Sequence, residues 1–382
     1  MRRLLALVCS IVFVDAMLFG ALTPLVPGYA RELELTKVGA GLLVAAFGAG
    51  AVLGGVPGGL AAARYGSKLA VVGGLLLLGA ASIAFATADS ALGLGAARFV
   101  QGFASTVTWA GALAWIAEAT PRARRGEVIG TVFGAAVAGA ILGPMFGGIA
   151  EVVGIATAFV AVGLVAWAFA GLSAVARPAR VRASTAGSLS RVARDPRFLG
   201  GLWLTTLPAF LFGTLVVLAP LALDAAGWAT LGIAALFLVS GLAEVVINPF
   251  LGRATDRVGR LVPIRIALGA SIVVATLLAV STHAAVIAVL VCAAAIGFGS
   301  LYTPSMTLAS HRAEVSGLAQ GLAFGIMNTA WALGNMTGPA VSGVLAESFG
   351  DAPPYLLGAA LCALTLAATF RFAPWRMSPR ET

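Results

Sequence analysis

LFGALTPLVP at residues 18–27 returns as LFGTLVVLAP at residues 211–220, an offset of 193 (211 − 18). Three further segments repeat with nearly the same spacing. GLAAARYGSK (59–68) matches GRATDRVGRL (252–261) at 193, GFASTVT (102–108) matches GFGSLYT (297–303) at 195, and GAILGPMFGG (139–148) matches GNMTGPAVSG (334–343) at 195. Such agreement describes one structural unit written twice in the same direction. A parallel repeat implies two like halves related by a rotation axis.

The material between these segments says what the unit is made of. Of 382 residues, 60% are hydrophobic and 10% charged, with mean hydropathy +1.01. A soluble globular domain carries about 25% charge, so an aqueous fold, a disordered chain and a fibrous repeat are excluded. The apolar runs are continuous rather than alternating, which selects helices over a barrel. Spans are expected at 4–27, 38–62, 69–87, 91–118, 128–150 and 154–176, and again at 198–222, 229–252, 262–281, 284–310, 318–346 and 353–374. The expected fold is an all-α polytopic membrane protein with twelve transmembrane helices in two pseudo-symmetric six-helix bundles, residues 1–176 and 198–382. Twelve spans of about 20 residues use about 240, which leaves no room for a separate catalytic or DNA-binding domain.

Charge gives the orientation. Of 24 basic residues, Arg31 and Lys37 fall on one side, Arg98 lies inside a span, and the other 21 fall on the opposite side. By the positive-inside rule that side is cytoplasmic, with both termini and the central loop. The loop, RPARVRASTAGSLSRVARDPR at 177–197, holds six arginines and one aspartate. It reads as a cytoplasmic linker attracted to anionic headgroups. The net charge of +9 thus belongs to the lipid surface and gives no reason to expect nucleic acid. The opening MRRLLALVCSIVFV has the basic-then-apolar look of a signal peptide, but Asp15 interrupts it and the segment recurs, so it is expected to belong to the mature fold. Cys9, Cys292 and Cys362 lie in apolar runs and are odd in number, and His283 and His311 sit at span ends. Neither a disulfide framework, nor a metal site, nor any cofactor is expected.

A few polar residues interrupt the apolar runs. Asp15 lies about 12 residues, or about 18 Å, from either end of its span. A charge there costs on the order of 3 kcal/mol or more. Low-dielectric surroundings oppose the ionised form and a nearby cation favours it, the balance a proton carrier needs. The bland alternative is a structural aspartate satisfied by backbone or by Arg98. Arg98, Gln101, Ser105 and Thr108 are spaced 3, 4 and 3 and share one helical face. Their repeat counterparts are Ala293, Ile296, Ser300 and Thr303, so the hydroxyls are duplicated and the charge is not. Glu244 sits eight residues before Gly252, about 12 Å from the cytoplasmic end, and its counterpart is Ala51. Glu118 closes the fourth span and reads as structural. Asn328, Trp331 and Asn335 share a face of the eleventh span, either lining a cavity or packing helices.

These motifs resemble the major facilitator superfamily, and within it the twelve-span drug:proton antiporters, across essentially the whole chain. GRATDRVGR (252–260) looks like the family's signature loop between the second and third spans of a half. The resemblance implies conformational gating by Gly252, Asp256, Arg257, Gly259 and Arg260. In the first copy Arg64, Gly66 and Lys68 remain, but Ala63 replaces the usual aspartate, which shifts an ion-paired latch to the second copy. RFVQG (98–102) is similar to the fourth-span motif. GAILGPMFGG matches the fifth-span motif of exporters, whose Gly139, Gly143, Pro144 and Gly148 give a flat packing face and a kink. Gly334, Gly338 and Pro339 repeat it. VDAMLFGALTPLVP (14–27) resembles the first span of tetracycline-type efflux proteins.

The implied function is secondary active transport, as proton-coupled efflux of small, lipophilic or cationic molecules by alternating access. Asp15, Arg98 and Glu244 would handle protons, and Gln101, Ser105, Thr108, Ser300, Thr303, Asn328 and Trp331 would line the substrate cavity. The alternative on the same fold is a facilitator or a proton symporter importing a small metabolite. An enzyme is not expected, since no GxxxxGK[ST] loop occurs and neither histidine has a nucleophile partner. A receptor would need a soluble signalling domain that these loops cannot hold. The expected setting is the cell (plasma or inner) membrane, as a multi-pass monomer whose partners are substrate, protons and lipid.

Overall fold

The computed structural model describes residues 2–121, 124–176, 194–258, 261–315 and 320–371; the side chains of 126, 248–258, 303, 307, 310, 311, 314, 320–322, 324 and 371 lie outside that description. Among the described residues every regular element is helical. The helices are α1 (Arg2–Gly20), α2 (Val26–Glu32), α3 (Lys37–Tyr65), α4 (Ser67–Ala86), α5 (Ala91–Ala119), α6 (Arg125–Val153) and α7 (Ile155–Val175), followed by α8 (Pro196–Ala225), α9 (Thr230–Val258), α10 (Leu261–Val280), α11 (Ala284–Gly299), α12 (Tyr302–Val315), α13 (Gln320–Phe349) and α14 (Ala352–Arg371). Each of the twelve expected spans falls on one of these helices or on a consecutive pair. Ten qualify as membrane-crossing by length and hydropathy among the described residues. The two that fall short are α5 and α13, which hold most of the polar candidates.

Two spans expected as single helices are broken. Between α1 and α2 the chain makes a turn and a 3-10 segment, Thr23–Leu25. Pro24 and Pro27 stand three residues apart, so two amide donors are lost within one helical turn. Their counterparts are Val217 and Pro220, and with one proline there α8 runs through without interruption. The second break separates α11 from α12. Gly297 and Gly299 weaken the helix, and Pro304 has no N–H to offer the Ser300 carbonyl. The residue corresponding to Pro304 in the first half is Trp109, and there α5 is continuous from Ala91 to Ala119. The turns joining α3 to α4 and α6 to α7 are each a single glycine, Gly66 at φ +94° and Gly154 at φ +99°; a side chain is strained at these angles.

By packing, the chain forms two compact units. One comprises Met1–Leu35, Leu42–Ser184 and Ala229–Leu238; the other comprises Thr36–Gly41, Thr185–Trp228 and Val239–Thr382. In the first, α6 lies directly on α1. A Cβ added at Gly139 would strike the Phe13 carbonyl, one at Gly143 the Met17 carbonyl, and one at Gly20 the ring of Pro144. In the second unit α13 lies on α8. There Gly334 meets the Thr206 carbonyl, Gly338 the Phe210 carbonyl, and Gly213 the ring of Pro339. Every member of the second set is a member of the first moved by 193 or 195 positions, so the repetition read from sequence is repeated atom against atom. In lipid, where apolar burial gives helices little reason to associate, this close backbone approach supplies the dispersion contact that holds them.

Candidate functional site

In the first unit α1 and α5 bring the polar candidates together. Asp15 is 3% exposed. Its Oδ2 accepts hydrogen bonds from Ser105 Oγ at 2.7 Å and from Trp109 Nε1 at 2.8 Å. Ser105 and Trp109 are one helical turn apart on α5, so both donors approach from the same face. Asp15 Oδ1 is buried and has no hydrogen-bond partner. Bonds to a charged acceptor are worth about 1.5–3 kcal/mol each, and burying a carboxylate in the membrane costs on the order of 3 kcal/mol or more. The two are of similar size, so the donors offset much of the burial cost.

Arg98 does something other than pair with Asp15. It is 2% exposed. One terminal nitrogen donates to the Leu18 carbonyl at 3.3 Å and to Gln101 Oε1 at 3.1 Å; the other donates to the Phe19 carbonyl at 3.3 Å. Leu18 and Phe19 belong to the last turn of α1, whose carbonyls a helix end leaves without amide donors. The guanidinium therefore caps a helix C-terminus inside the membrane, where a cation also suits the helix dipole. Its plane lies over Phe47, 4.9 Å from the ring centre. Gln101 passes the network on to Ser82 Oγ of α4 at 3.3 Å. Thr108 is not part of it: its hydroxyl donates to the Ala104 carbonyl of its own helix at 2.9 Å and packs where Gly74 leaves room.

The glycine face of α6 positions this site, since Gly139 and Gly143 seat on α1 just before and just after Asp15. The third glycine of the stripe is Gly147, which meets the Ala21 carbonyl; Gly148 turns instead to Leu231 and Ala234. Where α3 turns into α4, Lys68 Nζ donates to the Ala176 carbonyl at 2.8 Å and Ser67 Oγ to Glu118 Oε2 at 2.8 Å. Arg64 lies over the Tyr65 ring, 5.7 Å from its centre.

The second unit holds a different cluster. The Glu244 carboxylate rests against Gly299 at the end of α11, where an added Cβ would collide with it. Among the described residues Glu244 has no ion pair. Beside it Tyr302 opens α12 and interacts with both Glu244 and Trp331. An indole N–H can only donate, so Tyr302 Oη accepts from Trp331 and keeps its own proton to give. Phe212 lies parallel to Tyr302 with ring centres 6.3 Å apart and meets Phe298 edge-on at 5.6 Å. Asn335 donates to the Trp331 carbonyl at 3.1 Å, and Ser300 to the Ile296 carbonyl at 2.5 Å; both serve the helix backbone. Asn328 is half-buried. The side chains of Thr303, Gly252, Asp256 and Arg257, and all of Gly259 and Arg260, lie outside the described residues.

Sequence reasoning missed Trp109, Ser82, Tyr302, Phe212 and Gly147. Helical spacing held the signal for two of them: Trp109 is four residues beyond Ser105, and Gly147 four beyond Gly143. No grouping of three His, Cys, Asp or Glu suited to a metal occurs among the described residues.

The chain is similar to known transporters over nearly its whole length. It is 23% identical to Multidrug resistance protein 2 of Bacillus subtilis (strain 168), covering 90% of this chain and 89% of that one. It is 25% identical to Quinolone resistance protein NorA of Staphylococcus aureus (strain MRSA252), covering 93% of each. The crystal structure of a bacterial homolog to the human lysosomal transporter Spinster, inward-facing and occupied, superposes with a TM-score of 0.79 at 15% identity, over 99% of this chain and 98% of that one. That likeness shows the fold. The family model for the Major Facilitator Superfamily matches residues 8–324. With duplicated six-span halves, a fully helical membrane architecture and this match, the chain belongs to the Major Facilitator Superfamily.

Proposed function

We propose that this transporter is a proton-coupled exporter of small lipophilic or cationic molecules, working by alternating access in the cell membrane as a monomer with both termini cytoplasmic. One observation carries the reading: Asp15, a membrane-buried carboxylate without an ion pair among the described residues, held by two neutral donors. Bound to neutral donors, it can change charge without breaking a salt bridge. The names of the two drug-resistance relatives support outward transport. The Glu244 carboxylate among Tyr302, Trp331 and Phe212 supports a cationic substrate, because aromatic faces and a carboxylate both attract positive charge. Substrate and proton would compete for the same transporter, as antiport requires.

The test is Asp15→Asn in proteoliposomes with an imposed pH gradient. Uphill, proton-driven efflux of a fluorescent lipophilic cation such as ethidium should stop, while exchange of labelled for unlabelled substrate without a gradient continues. Undiminished proton-driven efflux in the variant would overturn the assignment. A gradient that drives substrate in the same direction as protons would instead establish a symporter.

A further inference from the structure

The geometry around Asp15 goes further than naming it. Both hydrogens that the protein offers the carboxyl go to Oδ2, from Ser105 and Trp109, while Oδ1 is buried and bonded to nothing. A carboxylate oxygen that already accepts two donors has little basicity left. An unbonded one has its lone pairs free. We propose that Trp109 and Ser105 are positioning residues that fix the Asp15 carboxyl so that Oδ1 is the atom that takes up and releases the proton. Uptake forms one O–H bond at Oδ1 and gives a neutral acid; Oδ2 keeps both of its donors, so the carboxyl does not turn during the cycle. The inference rests on the reading of Asp15 as the coupling group.

Three observations assign the task to these two side chains. The Trp109 ring packs against Phe133, 5.6 Å between ring centres, while its N–H donates to Asp15 Oδ2 at 2.8 Å. The charged group that acts on Asp15 from a neighbouring element is Arg98 of α5; its two terminal nitrogens donate to Gln101 and to the carbonyls of Leu18 and Phe19, its Nε is buried with no hydrogen-bond partner, and none of its hydrogen bonds goes to Asp15. From α6 the residues flanking Asp15 are Gly139 and Gly143, and α7 carries no ionisable side chain. The duplication supplies a built-in comparison. Asp15, Ser105 and Trp109 correspond to Pro208, Ser300 and Pro304. The half that lacks the carboxylate also lacks the indole, and its hydroxyl turns back to its own helix.

The experiment is infrared difference spectroscopy of the full-length protein reconstituted in lipid, titrated between acid and alkaline pH. The carboxylic C=O band missing from Asp15→Asn belongs to Asp15. In the protonated wild type this C=O is Oδ2, weakened by two donors. Trp109→Phe keeps the ring and removes one donor, so the band should move to higher wavenumber and its pH midpoint should be displaced by about half a unit or more. Ser105→Ala should act likewise and Ser105→Thr should restore the wild-type band, which carries the test should Trp109→Phe not fold. Bands unmoved in both Trp109→Phe and Ser105→Ala, with Asp15→Asn still removing the signal, would refute the positioning role and leave the coupling role standing. Were Asp15→Asn to remove no titrating band, both would fall.

Discussion

Replacing Gly139 with alanine tests the packing on which the Asp15 site is built. The added methyl has nowhere to go: it points at the Phe13 carbonyl oxygen, a main-chain atom that cannot rotate away. Overpacking of this kind costs about 1–3 kcal/mol. Alanine in place of glycine returns up to about 1 kcal/mol of helix propensity, so the control must be a glycine on the same helix with open surroundings. Gly134 is that control, since nothing lies within 4 Å of its would-be Cβ. With about 2 °C of melting temperature per kcal/mol for a chain of this size, Gly139→Ala should melt about 2–6 °C below wild type, and Gly134→Ala at or above it. Tryptophan fluorescence in detergent micelles follows the transition through seven tryptophans, at one heating rate because such unfolding is irreversible. Gly334→Ala should fall by a similar amount, because its methyl meets the Thr206 carbonyl in the same way. Equal melting of Gly139→Ala and Gly134→Ala would refute the close approach. A tolerated Gly334→Ala beside a damaging Gly139→Ala would refute its duplication.

Three other substitutions separate backbone, cap and recognition effects. Gly66→Ala, at φ +94° with nothing near its Cβ, should cost about 1–2 kcal/mol from backbone strain alone, and Gly66→Asn less, read by the same melting assay. Arg98→Gln strips two carbonyls of their donor and should destabilise by about 3 kcal/mol; Arg98→Lys should recover only part, since an ammonium lacks the fork that spans two acceptors. Glu244→Gln should weaken binding of an organic cation such as ethidium about tenfold, or about 1.4 kcal/mol, measured by fluorescence anisotropy, while leaving melting within a degree or two of wild type.

The twelve spans and the duplication were legible because both are linear properties of the chain: an apolar run long enough to cross lipid, and a motif that recurs. The breaks were not, because proline alone does not decide them. Pro57, Pro144, Pro208 and Pro339 all sit inside continuous helices, whereas Pro24 ends α1 with the help of Pro27. The polar face of α5 was legible as far as Ser105, but spacing alone could not show that Thr108 would turn to its own backbone while Trp109 reached Asp15. Spacing also could not show that Arg98 would cap α1 rather than pair with Asp15, because the carbonyls it serves become acceptors only once the helix has broken.

The asymmetry between the halves follows from where each one breaks. The first half breaks its first span, and Asp15 lies five residues before the last residue of α1. The second half breaks its fourth span, and the Glu244 carboxylate touches Gly299, the last residue of α11. Among the described residues each half thus sets a carboxylate beside an interrupted helix, buried Asp15 in the first and half-buried Glu244 in the second, at positions the other half fills with Pro208 and Ala51. A continuous transmembrane helix uses up its own backbone groups; an interrupted one leaves some to be satisfied by side chains, and lets its two pieces shift with less loss of hydrogen bonding. A carboxylate placed at such an interruption sits beside backbone groups that the helix itself does not satisfy. Duplication built the scaffold, and the divergence at these few positions moved the interruption, and the charge beside it, to a different span in each copy.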